Sequence, residues 1–216
     1  MSWLSGEAFT LFGEHVKRAD MAGNLLGLSA LALGWRRSVW SWPVQLLSGV
    51  VLITAYLNGH APGLIGKQLI VVVTAAWGWT QWRRGRRDDG RISVRFASWT
   101  ERAALVAGTA VGTGALAWIF LSFPGLGSWS PWSDAYIFVG TLAAMVAQAR
   151  GWVEFWFAWI AVDVVGVPLA FNSGYSFSGL TYSIYFVLVL LGLRSWWLST
   201  REPRSKSATV LQGASA

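Results

Sequence analysis

The chain has no cysteine and only two histidines, His15 and His60, in 216 residues. No disulfide, thiol nucleophile or cysteine-ligated metal is therefore available, and two histidines in separate loops do not make a metal site. Charge is scarce as well. Asp, Glu, Lys and Arg make up 12% of the chain, about half of the roughly 25% usual for a soluble domain. No Gly-rich phosphate loop occurs. The acidic residues Asp134, Glu154 and Asp163 fall at different expected depths, so no carboxylate pair for hydrolysis emerges. No catalytic residue, cofactor or metal is expected. The first 20 residues are mixed and polar, with Glu7, Glu14 and Asp20. They lack the basic start and apolar core of a cleavable signal, so the first apolar segment is expected to remain as a membrane helix.

What the chain has in abundance is apolar sequence, 54% of its residues. Seven apolar segments recur at approximately 20–35, 38–58, 62–82, 101–123, 134–149, 152–172 and 179–199. A spanning helix needs roughly 20 residues, with a range of about 17–25, so the first and fifth are short. The expected architecture is an all-α membrane protein with seven transmembrane helices, a single domain over residues 1–216. The net charge of +7 reads as topology signal and not as a nucleic-acid patch. Four segments share one side if the N-terminus is outside. They hold Arg36 and Arg37, the seven arginines from Arg83 to Arg102, Arg150, and the four basic residues from Arg194 to Lys206. Lys17, Arg18 and Lys67 remain for the other side. Basic residues collect in cytoplasmic loops, which predicts an outside N-terminus and a cytoplasmic C-terminus in a bacterial cell membrane. The Ser- and Ala-rich tail over 203–216 is expected to be a disordered cytoplasmic extension.

The chain also repeats itself. Trp40-Ser-Trp-Pro-Val-Gln-Leu-Leu-Ser48 resembles Phe155-Trp-Phe-Ala-Trp-Ile-Ala-Val-Asp163 at a spacing of 115 residues, which sets Ser48 against Asp163. Further on, Gln68, Gly78 and Trp82 are matched by Tyr182, Gly192 and Trp196 at a spacing of 114. The pattern predicts a three-helix repeat over 20–82, a linker helix over 101–123 and a second repeat over 134–199. Three helices plus one linker restore the orientation of the second copy, so the repeats are parallel. Sugar transporters of the SWEET type are built this way, and parallel repeats place substrate near the midplane at their interface.

One stretch is chemically unusual. Asp163 lies well inside the apolar run from Val153, where a charge costs about 2.5–3.5 kcal/mol on insertion scales. Trp156, Trp159 and Asp163 share one helix face. That face offers two flat rings and an acceptor, suited to a ligand with an aromatic ring and hydroxyls. The same spacing also suits interfacial tryptophans with a structural aspartate. Gln68 and Trp79 are about three helical turns apart and can face one cavity. Tyr182, three residues before Tyr185, adds a third motif. No Lys or Arg falls near the expected midplane, so no salt bridge to Asp163 is expected.

The order Gln68, Trp77-Gly-Trp79, Glu154, Trp156, Trp159, Asp163, Tyr182, Gly192 and Arg194 resembles the PnuC-type vitamin transporter family over nearly the whole chain, from Met21 to Trp197. The resemblance implies a three-plus-one-plus-three fold and facilitated diffusion of an unphosphorylated vitamin, drawn inward by phosphorylation in the cytoplasm. It implies a substrate site at Gln68, Trp79, Trp156, Trp159, Asp163 and Tyr182. Nicotinamide riboside members typically carry asparagine where Ser48 and Asp163 stand, and tyrosine where Trp77 stands. The chain looks most like the riboflavin-transporting RibM branch. Riboflavin is thus the expected substrate. Nicotinamide riboside, or a membrane-embedded binding subunit that needs a separate ATPase, are the alternatives. The partners implied are the vitamin, the bilayer and a possible second copy of the chain.

Overall fold

Seven helices form where the sequence has its seven apolar segments. The computed structural model describes residues 7–11, 14–58, 62–85, 92–126, 130–172 and 176–201. The tail over 203–216 lies outside the described residues. The helices are α1 (Arg18–Trp35), α2 (Ser41–Asn58), α3 (Pro62–Arg84), α4 (Trp99–Ser122), α5 (Pro131–Ala149), α6 (Glu154–Asn172) and α7 (Ser176–Thr200). Two described segments, Trp99–Ser122 and Ser183–Thr200, are by themselves long and apolar enough to cross a membrane. Pro62 and Pro131 open α3 and α5, where the missing N–H costs nothing. Pro131 starts α5 three residues earlier than the apolar run announces. A short antiparallel hairpin, β1 (Glu7–Leu11) with β2 (Glu14–Lys17), precedes α1. It departs from an all-α expectation, because its mixed polar sequence carries no clear alternation to announce a strand.

The α1–α2 and α5–α6 turns are built alike at the arginine-rich end. Arg37 and Gly151 both adopt the left-handed conformation, with φ of 60° and 67°. Ser38 N–H donates to the Leu33 carbonyl, and Trp152 N–H to the Ala147 carbonyl. Gly151 is required sterically: a Cβ there would lie 2.8 Å from the Ser93 carbonyl oxygen. That carbonyl belongs to the extended segment 92–98, which ties the inner loops together. Ile92 N–H donates to the Arg37 carbonyl, Arg95 N–H to Gly151, and Val153 N–H to Arg95. The segment then starts α4 with a capping box between Ser98 and Glu101. The Glu101 carboxylate also takes both Arg95 Nη groups at 2.7 Å, which holds that guanidinium above its ordinary pKa.

The core is made largely of tryptophan. Gly78 on α3 lies flat against the Trp42 ring of α2, and Gly192 on α7 against the Trp156 ring of α6; a Cβ at either glycine would overlap the indole. Four residues on, Trp82 meets Trp42 edge-on at 5.5 Å and 89°, and Trp196 meets Trp156 at 5.6 Å and 89°. Such T-shaped pairs contribute about 0.5–1.5 kcal/mol each beyond area burial. Trp82 and Trp196 then face each other at 6.4 Å. Each indole N–H crosses to the other half of the molecule. Trp82 donates to the Gln148 carbonyl at the end of α5 (2.8 Å). Trp196 donates to the Gly34 and Trp35 carbonyls at the end of α1 (3.2 and 3.1 Å). All these equivalences run at 114 residues, including Trp42 with Trp156. The spacing of 115 read from α2 and α6 is corrected accordingly: the packed tryptophans set the register, and Ser48 then matches Val162.

Candidate functional site

A cavity of about 250 Å³ lies between the two halves, above the tryptophan cluster. Residues 114 apart in the chain line it in pairs. Gly23, Gly27 and Leu31 of α1 correspond by sequence spacing to Ile137, Thr141 and Met145 of α5; Ser41, Gln45 and Ser48 of α2 correspond to Phe155, Trp159 and Val162 of α6. Leu52 with Gly166, and Val71 with Tyr185, extend the series. Each of these pairs is again 114 residues apart. The positions are alike, but the chemistry is not. Ser41, Gln45, Ser48 and, from α3, Gln68 make a hydroxyl and amide wall. Phe155, Trp159 and Tyr185 make a mainly aromatic wall, with Asp163, Thr141 and Gln148 beside it, and Trp42 adds one ring to the polar side.

The polar groups on this cavity are buried. Ser41, Ser48, Gln68 and Asp163 are 1–6% exposed. Some are held by the protein. Ser48 Oγ donates to the Gly23 carbonyl at 2.8 Å, and the Gln68 amide packs against Gly49. Others have no hydrogen-bond partner among the described residues: Ser41 Oγ, Trp42 Nε1, Trp159 Nε1 and Asp163 Oδ2. A buried polar atom without a partner costs about 1–3 kcal/mol, so four of them around one cavity point to a polar occupant. Among the described residues, no Lys, Arg or His lines it. Phosphate recognition relies on charge-assisted bonds from such residues, and here a phosphate would also face the Asp163 carboxyl.

The residues singled out in the sequence are not all brought together. Gln68, Trp159 and Asp163 line the cavity. Trp156 does not: it is fully buried one level below, between Gly192, Trp196 and Phe155. Trp79 sits one residue round from the inward-facing Gly78, with Arg83 stacked on its ring at 5.7 Å, and stays outside the cavity. The Tyr182 side chain lies outside the described residues, and Tyr185, one turn on, lines the cavity. Ser41, Gln45 and Ser48 were missed as a set. Their spacing of four and three residues was the available signal, since it puts three polar groups on one face of an otherwise apolar helix.

The sequence profile of the nicotinamide mononucleotide transporter family matches residues 18–198. The chain belongs to that family. It is 58% identical, over the full length of both chains, to the riboflavin/roseoflavin transporter RibM of Streptomyces davaonensis. It is 31% identical to the nicotinamide riboside transporter PnuC of Escherichia coli over 77 residues, 36% of this chain and 32% of that one. The crystal structure of the vitamin B3 transporter PnuC has the same fold, with a TM-score of 0.65 at 18% identity, covering 82% of this chain and 79% of that one. The chain is thus a membrane protein of a transporter family, with seven α-helices among its described residues. Its relatives are named as transporters and not as enzymes.

Proposed function

We propose that the chain is a facilitative carrier that takes up riboflavin and close analogues across the bacterial cell membrane. All seven helices span the bilayer, with the N-terminus outside and the arginine-rich end in the cytoplasm. Two parallel repeats, 20–82 and 134–199, are joined by the linker over 101–123, and the cavity lies on the axis between them. The substrate site consists of Gln68, Trp159 and Asp163 with Ser41, Gln45 and Tyr185; Tyr182, one turn from Tyr185, remains in the proposal on sequence grounds. The observation that carries this reading is the two-sided wall. Riboflavin has a flat tricyclic ring whose imide edge bears two carbonyl acceptors, and a chain of hydroxyls. Trp159 and Phe155 offer surfaces for the ring. The Trp42 and Trp159 indole N–H groups and the Ser41 hydroxyl suit the carbonyls. Asp163 and the glutamines suit the hydroxyls. The full-length likeness to a riboflavin/roseoflavin transporter supports the same substrate.

Nicotinamide riboside is the second reading, favoured by the partial likeness to PnuC. Purified protein titrated with riboflavin, flavin mononucleotide and nicotinamide riboside separates the two, with quenching of flavin fluorescence and calorimetry as readouts. Riboflavin should bind, and flavin mononucleotide at least tenfold more weakly, because no described residue of the lining offers a cation for its phosphate. Equal affinity for the phosphorylated form would sink the proposed site. Binding of nicotinamide riboside alone would establish the second reading.

A further inference from the structure

A second, larger space of about 930 Å³ lies outside the helical core, between α4, α5, α6 and α7. It arises because α4 packs mainly on α5; Ala117 is the one buried residue of that helix among the described residues. The walls are apolar along most of their length, with Leu105, Val106, Ala110, Gly140, Ala143 and Ala161 among the lining. The arginine-rich end differs. Arg102 sits there with its Nε on Glu154 Oε1 at 2.7 Å. Glu154 Oε2 is taken by the Ala97 N–H at 2.9 Å, so the carboxylate is fully engaged. The two Arg102 Nη groups make no hydrogen bond among the described residues. The guanidinium carbon lies over the rings of Trp99 at 4.9 Å and Phe96 at 5.8 Å. Trp99 is itself 81% exposed, as a side chain at a membrane interface would be.

We propose that this groove binds an anionic phospholipid of the arginine-rich leaflet, its phosphate on the Arg102 Nη groups and an acyl chain along the α4–α6 cleft. The pieces are complementary. A guanidinium with one edge fixed by Glu154 keeps a two-donor edge for phosphate, the geometry that suits bidentate pairing. Basic pockets between helices at the cytoplasmic face attract anionic headgroups, and the basic residues of this chain concentrate at that end. The cleft continues from the guanidinium into apolar walls open toward the bilayer. The site is separate from the central cavity and does not depend on which vitamin is carried.

The test uses the full chain in mixed micelles containing equal phosphatidylglycerol and phosphatidylcholine, with native mass spectrometry counting retained lipid. The protein should retain phosphatidylglycerol several-fold over phosphatidylcholine. Arg102→Met/Glu154→Gln, which removes the ion pair together, should abolish that preference. Ala110→Trp, which fills the cleft from an exposed position, should reduce retention of both lipids. Should the double variant fail to fold, Ala110→Trp decides alone: unchanged phosphatidylglycerol retention overturns the proposal. An absent headgroup preference overturns it too. So does an oligomer that Ala110→Trp dissociates without change in bound lipid, since the groove would then hold a second copy of the chain.

Discussion

Trp156 and Trp159 are three residues apart, yet their surroundings separate them. Trp156 has 0% exposure and is wedged between Gly192 and Trp196. Trp159 lines the cavity with an indole nitrogen that has no partner among the described residues. Trp156→Ala should therefore cost stability, about 3–5 kcal/mol for a buried tryptophan, seen as loss of monodisperse protein in detergent on heating. Trp159→Ala should leave that melting profile nearly unchanged and weaken riboflavin roughly two- to tenfold, the equivalent of about 0.5–1.5 kcal/mol of lost stacking. The reverse pattern would place the site at the level of the tryptophan cluster. Asp163 is 5% exposed with an unpartnered Oδ2. Asp163→Asn keeps the shape and much of the hydrogen bonding, so both fold and binding should survive. Asp163→Leu should keep the fold and lose binding, since ligand hydroxyls would face an apolar wall. Equal binding by the leucine variant, measured by the same titration, would remove Asp163 from the site. The sequence announced the face shared by these three residues, because the helical period gives angle directly. It did not give depth, and depth is what divides Trp156 in the packed floor from Trp159 and Asp163 in the cavity.

At the scale of helices, the recurring Gly–Trp spacing was legible as a pattern before its purpose was. Gly78 and Gly192 let α3 and α7 close onto the flat face of a neighbouring tryptophan, and the tryptophan four residues later then reaches across to the opposite half. Only packing reveals that the partner rings are Trp42 and Trp156, because spacing within α3 and α7 says nothing about α2 and α6. The same packing fixes the register of 114 that sequence similarity blurred to 115. Apolar segments of tryptophan, phenylalanine and alanine align about equally well one residue out of step. A substitution series checks the device. Gly78→Ala and Gly192→Ala place a methyl inside an indole ring, so helices must separate; each should strongly reduce folded protein in size-exclusion profiles. Gly114→Ala on α4, with nothing within 4 Å of the added Cβ, should be tolerated, and helix propensity even favours it by up to about 1 kcal/mol. Normal profiles for both core variants would mean that the tryptophans do not hold the helices at this distance. The N-terminal hairpin was the one element without a readable signal, having neither an alternating pattern nor an apolar face to bury.

The whole molecule joins two chemically unequal halves around one cavity, with the arginine-rich side closed by four tryptophans and tied across by the 92–98 segment. For transport, that floor must open while the other side closes, and any driving force must bias the exchange. A coupling ion would need its own site with different affinity in the two states. Among the described residues, the cavity lining contains one acidic residue, Asp163, and no basic one. No group of three or more possible metal ligands occurs among the described residues. The facilitative carrier proposed above is expected to equilibrate its substrate and not pump it. On the proposed reading, riboflavin phosphorylated inside the cell carries a charge that no described residue of the lining pairs, which disfavours its return. Accumulation is on this reading left to intracellular phosphorylation, and uptake is expected with neither an ATPase nor a proton gradient. In right-side-out vesicles free of ATP, riboflavin uptake should plateau at equal inside and outside concentrations, with the purified chain as sole added protein. In cells, a protonophore applied with ATP held constant should leave the initial rate within about twofold of control, since a rate change of that size corresponds to roughly 0.4 kcal/mol in the barrier. Immediate collapse of the initial rate would instead make Asp163 a proton-coupling residue, and Asp163→Asn would then abolish uphill uptake while sparing exchange.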